Sequence, residues 1–242
     1  MADQLPHDAS SHRKAGQEKI WAHFQNAGAK AFEAAEPRLE FLVRQIARRA
    51  GKSGPAVLNV GVGSGHLEVT ALARGWDVQA LDPDAAAIER LSAQGVRGHV
   101  GYIEQLPQAD GTLDFVVASE VLEHLSDEQR TAGIREIHRV LRPGGWFLGT
   151  VPFNEDLQAN EVVCPCCGEL FHRWGHQKSF TLETVRAELS PLFHIRELRP
   201  AAFVSYGGRG VGGKVKSLVR VALARAGQMM AIPSIYWAAQ RR

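Results

Sequence analysis

The amino-acid sequence predicts an α/β fold with a doubly wound, mostly parallel sheet. Short apolar runs alternate along the chain with segments of helical period. A glycine-rich turn directly follows the first apolar run, and an aspartate ends the second. Strands that alternate with helices pair in parallel, because each helix carries the chain back across a face of the sheet. Ligands of such sheets bind at the carboxyl ends of the strands, where the glycine turn and the aspartate lie.

The predicted elements run from an N-terminal helical segment to a C-terminal strand. Residues 1–16 are predicted to be a disordered lead-in, residues 17–50 a helical segment and residues 51–242 the α/β domain. Strands are predicted at 56–61, 77–82, 96–103, 113–119, 144–153, 193–203 and 233–242. Helices are predicted between them at 65–74, 84–94, 126–141 and 179–193. Ser126 and Asp127 are good N-cap choices for the third of these helices, and Thr181 for the fourth.

The composition is that of an ordinary globular protein. Hydrophobic residues make up 45% and charged residues 22% of the 242 residues. The formal net charge of +2 tells against nucleic-acid binding by the molecule as a whole. The N-terminal residues are polar, and no stretch approaches the ~18–20 apolar residues that span a bilayer, so a cytoplasmic location is expected.

The glycine loop lies in NVGVGSGHL, residues 59–67. Gly61, Gly63 and Gly65 allow a tight turn and a close approach of the backbone to a ligand, and the next helix offers its N-terminus. Asp82 ends the second strand, where a carboxylate can accept hydrogen bonds from ribose hydroxyls. The dinucleotide fingerprint G-x-G-x-x-G requires glycine at position 66, so His66 tells against NAD or FAD.

Several motifs together resemble those of the class I S-adenosylmethionine-dependent methyltransferases. VLNVGVGSG is similar to their first motif, ALDPD to their second and VGYIEQLPQADGTLDFVVASEVLEHL to their third and fourth. IREIHRVLRPGGWFLGTVP is similar to the segment that leads into their fifth strand. SEVLEHL followed by LRPGG is especially like the branch that includes quinone-biosynthesis and other small-molecule enzymes. The resemblance implies a Rossmann-like methyltransferase fold of seven strands with an antiparallel last strand.

The resemblance also implies contacts with S-adenosylmethionine. The three loop glycines are expected to line its methionine and ribose portion, and Asp82 to hold the ribose hydroxyls. Ile103 is expected to pack on adenine, and Ser119 and Glu120 to face the methionine end.

Two positions depart from the family pattern. Asn59 stands where the family usually has Asp or Glu, so it is expected to reach the cofactor's amino group without bringing a charge. Tyr102 occupies a position near adenine that is usually acidic, with Glu104 as a substitute two residues on.

A general base is needed only if the acceptor must lose a proton during transfer. His124 and Glu120 are the candidate catalytic residues, with Glu123 beside them, because SEVLEHL follows the fourth strand at the ligand end of the sheet. The alternative is that His124 only caps a local turn and that transfer relies on proximity.

A Cys/His cluster, CPCCGELFHRWGH, lies in an insertion over 154–178. Cys164 and Cys167 can chelate a metal from one turn, and a helical turn would place His172 and His176 on one side. These four residues are expected to bind one structural zinc ion, with Cys166 left over or exchanging with Cys167. A redox thiol pair is the alternative, but it leaves the two histidines unexplained. The zinc would hold a lid beside the acceptor.

The segment 207–231 is basic and is predicted to hold a second, helical insertion. Its apolar residues from Val215 to Met230 recur at helical spacing, and its cations lie largely off that stripe. Such a helix either packs on the domain or contacts anionic lipid through 214–230, as a peripheral membrane protein would.

The sequence therefore predicts a methyltransferase that uses S-adenosylmethionine and acts on a small-molecule or lipid-linked acceptor. Oxygen is favoured as the methylated atom over nitrogen or carbon. Two alternatives are a non-catalytic adaptor that binds a partner through the zinc insertion and a nicotinamide-dependent oxidoreductase, which His66 disfavours.

Overall fold

The computed structural model describes residues 19–23, 25, 35–51, 54–203 and 234–242. The predicted lead-in over 1–16 and the basic segment over 207–231, with its lipid-facing part 214–230, lie outside the described residues, as does part of the predicted helical segment over 17–50. Within the described ranges, no helix has both the length and the apolar character needed to cross a membrane.

Helices and strands alternate through the domain as the sequence predicts. The large sheet contains β1 (Ala56–Val60), β2 (Asp77–Asp82), β3 (Arg97–Val100), β4 (Leu113–Ser119), β5 (Leu141–Pro152), β8 (Phe193–Ala201) and β9 (Ser234–Arg241). A separate hairpin contains β6 (Glu161–Val163) and β7 (Leu170–His172). The helices are α1 (Glu36–Ala50), α2 (His66–Leu72), α3 (Ala85–Ser92), α4 (Asp127–Val140) and α5 (Leu182–Leu189).

The large sheet has the strand order β3-β2-β1-β4-β5-β9-β8. The first five strands of this order pair in parallel, whereas β9 is antiparallel to both β5 and β8. The order reverses at β1, so β1 and β4 lie side by side at the point where the chain switches direction. A doubly wound sheet opens a crevice at this point, outside the carboxyl ends of the strands. The predicted fold is confirmed, including its antiparallel last strand.

Both faces of the sheet are covered, which leaves the carboxyl edge for a ligand. Leu42 and Ile46 of α1 pack against one face, in a cluster that includes Phe115 of β4. Ile137 of α4 and Val185 of α5 pack against the other face, in a cluster that includes other side chains of β4. Burial of apolar side chains on both faces is the main source of stability for such a sheet.

The predicted helix starts are confirmed by their side-chain caps. Ser126 accepts a hydrogen bond from the amide of Gln129, whose side chain reaches back to the Ser126 amide. Thr181 and Thr184 form the same reciprocal arrangement at the start of α5. These caps satisfy amide groups that a helix leaves unpaired in its first turn.

Two strand boundaries differ from the sequence prediction by three residues. β5 begins at Leu141 rather than at residue 144, because Leu141 already pairs with Leu113 of β4. The register then shifts so that Phe115 pairs with Trp146, which places Pro143 and Gly144 in an irregular stretch of the strand. β3 ends at Val100, and the chain turns there toward the ligand edge of the sheet.

Candidate active site

A cavity of 310 Å³ opens along the carboxyl edge of the sheet. The glycine loop after β1, the end of β2, the chain after β3 and the turn after β4 all contribute to its lining. Residues from before the sheet and from the insertion complete the wall. A cavity of this size at a strand-order reversal is typical of a small-molecule site.

The glycine loop has the backbone conformation that its sequence suggests. Gly61 and Gly63 line the cavity with φ angles of +78° and +52°, values that residues with a Cβ atom rarely adopt. Gly65, with a φ of +81°, is the N-cap of α2 and does not line the cavity. A Cβ atom at Gly65 would collide with the side chain of Leu91 in α3, so this glycine allows close packing of the two helices.

Asp82 lies at the end of β2 with only 3% of its surface exposed, and it lines the cavity. Its Oδ2 accepts hydrogen bonds from the amide of Val62 at 2.9 Å and from Nε2 of Gln25 at 3.1 Å. Its Oδ1 accepts a hydrogen bond from the amide of Asp84 at 2.9 Å. Burial raises the pKa of Asp82, and these hydrogen bonds oppose that rise. The carboxylate is therefore held rigidly between the glycine loop and α3.

Three other predicted contact residues also reach the cavity. Ile103 is 4% exposed and packs against Gly133 of α4, where a Cβ atom would lie only 2.8 Å from it. Ser119 Oγ accepts a hydrogen bond from Arg38 Nε at 2.9 Å. Glu120 has a φ of +57° and a buried Oε1 for which the described residues supply no hydrogen-bond partner. This strained backbone turns the chain after β4 into the cavity.

Asn59 does not line the cavity. Its side chain is 1% exposed and donates a hydrogen bond from Nδ2 to Glu68 Oε1 of α2 at 2.7 Å. The prediction that Asn59 reaches the cofactor is therefore not what the structure shows, because Asn59 and Glu68 pair with each other behind the glycine loop.

Comparisons with known proteins agree with this geometry. Residues 58–149 match the family model described as a methyltransferase domain. A probable S-adenosylmethionine-dependent methyltransferase from Mycolicibacterium smegmatis is 34% identical over 117 residues, which cover 48% of this chain and 44% of the relative. A ubiquinone biosynthesis O-methyltransferase from Pseudomonas paraeruginosa is 37% identical over 120 residues, which cover 46% of this chain and 51% of the relative. Over residues 58–149 this chain is therefore similar to a methyltransferase domain.

Solved structures support the same fold at low sequence identity. The 1,6-didemethyltoxoflavin-N1-methyltransferase of Burkholderia thailandensis, solved with bound S-adenosylhomocysteine, superimposes with a TM-score of 0.68 at 14% identity. The superposition covers 99% of this chain and 93% of that one. The curated relatives are matched over about half of their length, so the methyltransferase domain is what they share with this chain.

The residues that line the cavity fit S-adenosylmethionine. Gly61 and Gly63 form a cradle without side chains, and Asp82 presents its carboxylate at the ligand edge of β2. Ile103 adds an apolar wall, and Glu120 contributes a buried oxygen for which the described residues supply no hydrogen-bond partner.

His124 lines the cavity but is poorly suited to act as a base. Its Nδ1 lies 3.4 Å from the carbonyl oxygen of Gly175, and its ring contacts those of Trp21 and His176 edge to face. Burial and the neighbouring His176 lower the pKa of His124 to about 3. The imidazole is therefore neutral near pH 7 and holds a proton weakly. The ring can accept a hydrogen bond from the substrate that receives the methyl group more readily than it can remove a proton from that substrate.

Glu123 is completely buried beside His124. Both of its carboxylate oxygens lack a hydrogen-bond partner within the described part of the chain. Burial and the charge of Glu120 raise the pKa of Glu123 well above its usual range. Its backbone carbonyl accepts hydrogen bonds from the amides of Gln177 and Lys178, which joins the insertion to the turn after β4.

The insertion separates the four predicted zinc ligands into two groups. Cys164 and Cys167 lie in the turn that connects β6 and β7, whereas His172 pairs with Glu161 at the opposite end of the hairpin. Three residues separate Cys164 from Glu161, which corresponds to about 10 Å along a strand. A single zinc ion needs all of its ligand atoms within about 2.0–2.3 Å, so the expected Cys2His2 site is not assembled.

The two histidines also fail to form the predicted helical turn. His172 Nδ1 accepts hydrogen bonds from the amides of Trp174 and His176, at 3.3 Å and 3.1 Å, in a tight turn that contains Gly175. This turn directs His176 to the cavity and toward Glu155, whose carboxylate is hydrogen-bonded to His176 Nδ1. At the hairpin tip, the amides of Cys167 and Cys166 lower the pKa of the Cys164 thiol.

Several cavity residues were not predicted from the sequence. They are Trp21, Gln25 and Arg38 from the segment before the sheet, and Trp174 and His176 from the insertion. The first three lie in a segment whose pattern indicates only an amphipathic helix. The two residues of the insertion could have been suspected, because long loops at the ligand edge of a sheet tend to be functional. The sequence analysis instead assigned His176 to the Cys2His2 zinc site.

Proposed function

We propose that this chain is an enzyme that transfers the methyl group of S-adenosylmethionine to a hydroxyl oxygen of a small-molecule or lipid-linked acceptor. The observation that carries the proposal is the arrangement of the cavity across the sheet. Asp82 and the glycine loop lie at the β2 and β1 positions, whereas His124 and His176 follow β4 and β5. A cofactor bound to Asp82 and the glycine loop would then lie beside His124 and His176, which could contact the methyl acceptor.

The cofactor end is a preorganised hydrogen-bonding site. The Asp82 carboxylate is fixed by two backbone amides, so little entropy is lost when ribose hydroxyls bind to it. S-adenosylmethionine supplies a methyl group that is already activated by its sulfonium. The protein's task is then to hold the acceptor oxygen in line with that methyl group, and effective concentration supplies much of the rate.

The acceptor end combines indole and imidazole groups. Trp21 and Trp174 line the cavity together with His124 and His176. Two tryptophans suit a flat, largely apolar acceptor. The imidazole of His124, which is neutral near pH 7, accepts the hydrogen bond of a hydroxyl group, and this orients the hydroxyl oxygen for transfer. Homology with a ubiquinone biosynthesis O-methyltransferase also favours oxygen, although a ubiquinone/menaquinone C-methyltransferase is 32% identical over 111 residues.

A transfer assay tests this function. The protein is incubated with methyl-labelled S-adenosylmethionine and with matched aromatic acceptors that carry a hydroxyl or an amino group at the same position. Formation of S-adenosylhomocysteine together with a methyl ether supports the proposal. Methylation of the amine or of ring carbon alone would contradict the choice of oxygen.

Loss of the hairpin-tip thiol should leave the cofactor site intact. Cys164 lies at the far end of the hairpin from His172 and from the cavity residues Trp174 and His176 that follow it, so Cys164→Ser should leave S-adenosylmethionine affinity within about twofold. Turnover of the acceptor should fall if the hairpin acts as a lid. Cys166→Ser, which removes an exposed thiol two residues from Cys164, is the matched control. A loss of cofactor affinity equal to the loss of turnover would show that the cysteines support the core instead.

A further inference from the structure

We propose that His124, His176 and Glu123 bind one divalent metal ion, with zinc as the first choice, at the acceptor end of the cavity. The proposal rests on the function proposed above, because the ion would bind the acceptor's hydroxyl oxygen and would replace its direct hydrogen bond to the His124 imidazole. It replaces the Cys2His2 set that the sequence suggested, and it retains only His176 from that set.

The three side chains are already close enough to share an ion. One potential ligand atom from each lies within 4.8 Å of the other two. The rings of His124 and His176 meet edge to face, with their centroids 4.7 Å apart. Both rings line the cavity, which gives an ion an entry path.

Glu123 supplies the independent observation that a ligand is missing. Its side chain is completely buried, and neither carboxylate oxygen has a hydrogen-bond partner among the described residues. A buried carboxylate without partners is costly, and such groups in proteins are normally paired or coordinate a metal. Glu120 and Glu155 both act on Glu123 electrostatically, and only Arg38 among its main influences is cationic. An ion with two positive charges would balance this excess of carboxylates.

The hydrogen bonds of the two histidines leave Nε2 of each ring to coordinate the ion. His124 directs Nδ1 to the carbonyl oxygen of Gly175, and His176 directs Nδ1 to the carboxylate of Glu155. Histidine ligands usually donate their other ring N–H to a backbone carbonyl or a carboxylate, which fixes the ring and its tautomer. The structure thus contains both the ligands and the groups that orient them.

A second group of donors, Glu155, His172 and His176, fits an ion less well. His172 Nδ1 accepts hydrogen bonds from two backbone amides, so it carries no proton. The proton of the neutral ring must then be on Nε2, the nitrogen that faces Glu155 Oε1 at 3.5 Å. A protonated nitrogen cannot coordinate a metal, and this assigns Glu155 to orienting His176 rather than to binding the ion.

Two histidines and one carboxylate leave coordination positions open for substrate. Catalytic zinc sites use this ligand set with water or substrate in the remaining position. A hydroxyl group bound to the ion has a lowered pKa and releases its proton to solvent, so no protein base is required. The oxygen then forms a bond to the methyl carbon, the carbon–sulfur bond breaks, and its electron pair remains on sulfur.

The test is metal binding by protein that has been purified without a histidine tag and stripped with a chelator. Calorimetric titration with Zn²⁺ should give one ion per chain. Titration with Co²⁺ should give visible d–d bands without the near-ultraviolet charge-transfer band of a cobalt–thiolate bond. Glu123→Gln and His124→Asn should each weaken Zn²⁺ binding at least tenfold. His138→Gln removes a histidine of α4 outside the cluster and is the matched control.

The cysteines provide the opposing arm of the experiment. The double variant Cys164→Ser, Cys167→Ser should retain both the Zn²⁺ stoichiometry and the Co²⁺ spectrum. A thiolate–cobalt band in the unmodified protein, lost in this double variant, would overturn the proposal, as would the absence of Zn²⁺ and Co²⁺ binding. The proposed function can fail separately. If the protein binds Zn²⁺ as described but does not bind S-adenosylmethionine, the metal site is supported and the methyltransferase function is contradicted.

Discussion

Replacing Asp82 with alanine is expected to weaken S-adenosylmethionine binding by roughly 1.5–3 kcal/mol, the usual contribution of hydrogen bonds to a charged group. The carboxylate is buried at the ligand edge of β2 and is oriented by the amides of Val62 and Asp84. Its removal would take away the proposed acceptor for the ribose hydroxyls and would release the glycine loop from the end of β2. Isothermal calorimetry measures the change.

A control at the other end of the same strand isolates the effect. Asp77 begins β2 and forms an exposed ion pair with Arg97, far from the cavity edge. Asp77→Ala should leave cofactor affinity unchanged, because an exposed pair contributes little even to stability. Asp82→Asn should bind more tightly than Asp82→Ala, since the amide keeps one acceptor oxygen. Equal affinity of Asp82→Ala and the unmodified protein, with both folded, would exclude Asp82 from the cofactor site.

The free energy of unfolding of the unmodified protein is expected to fall as the pH rises from about 4.5 to about 7. Replacing Glu68 with glutamine should remove much of this fall. Burial raises the pKa of Glu68 from 4.5 to about 7, against the opposing hydrogen bond from Asn59. Between these values the folded protein holds a proton that the unfolded chain has released. The free energy of unfolding therefore falls as the pH rises, by about 3 kcal/mol in total. Glutamine is neutral throughout and keeps an oxygen for Asn59.

Urea unfolding at pH 5 and pH 8 measures this difference in both proteins. His124 contributes with the opposite sign, because its folded pKa is lowered to about 3 and its stabilising effect is lost as the pH falls below about 6.5. That contribution is common to both proteins, so the comparison isolates Glu68. Parallel pH profiles for Glu68→Gln and the unmodified protein would show that Glu68 is ionised in both states.

The sheet could be predicted because its signals are local. Apolar runs, caps at Ser126 and Thr181, and the glycine turn each specify structure within a few residues, and their order then fixes a parallel sheet. Asp82 followed from the same logic, since the end of β2 must face the glycine loop. The start of β5 was predicted three residues too late, because the pairing of Leu141 with Leu113 of β4 is a contact that the local sequence does not encode.

The acceptor end of the cavity could not be predicted in the same way. Whether His172 and His176 lie on a helix or after a hairpin depends on pairing between β6 and β7, a contact that the spacing of four residues does not encode. The apolar pairs around CPCCG in VVCPCCGELF were a signal for that hairpin. Arg38 and Trp21 reach the cavity through packing of a segment distant in sequence, and no local pattern marks them.

The central claim is that the cavity at the carboxyl edge of this sheet binds S-adenosylmethionine, and direct calorimetric titration of the unmodified protein tests it. S-adenosylmethionine and S-adenosylhomocysteine should each bind with one site per chain, and NAD should give no binding, because His66 replaces the third glycine of the dinucleotide loop. Binding of NAD in place of S-adenosylmethionine, or of neither by the folded protein, would contradict the account.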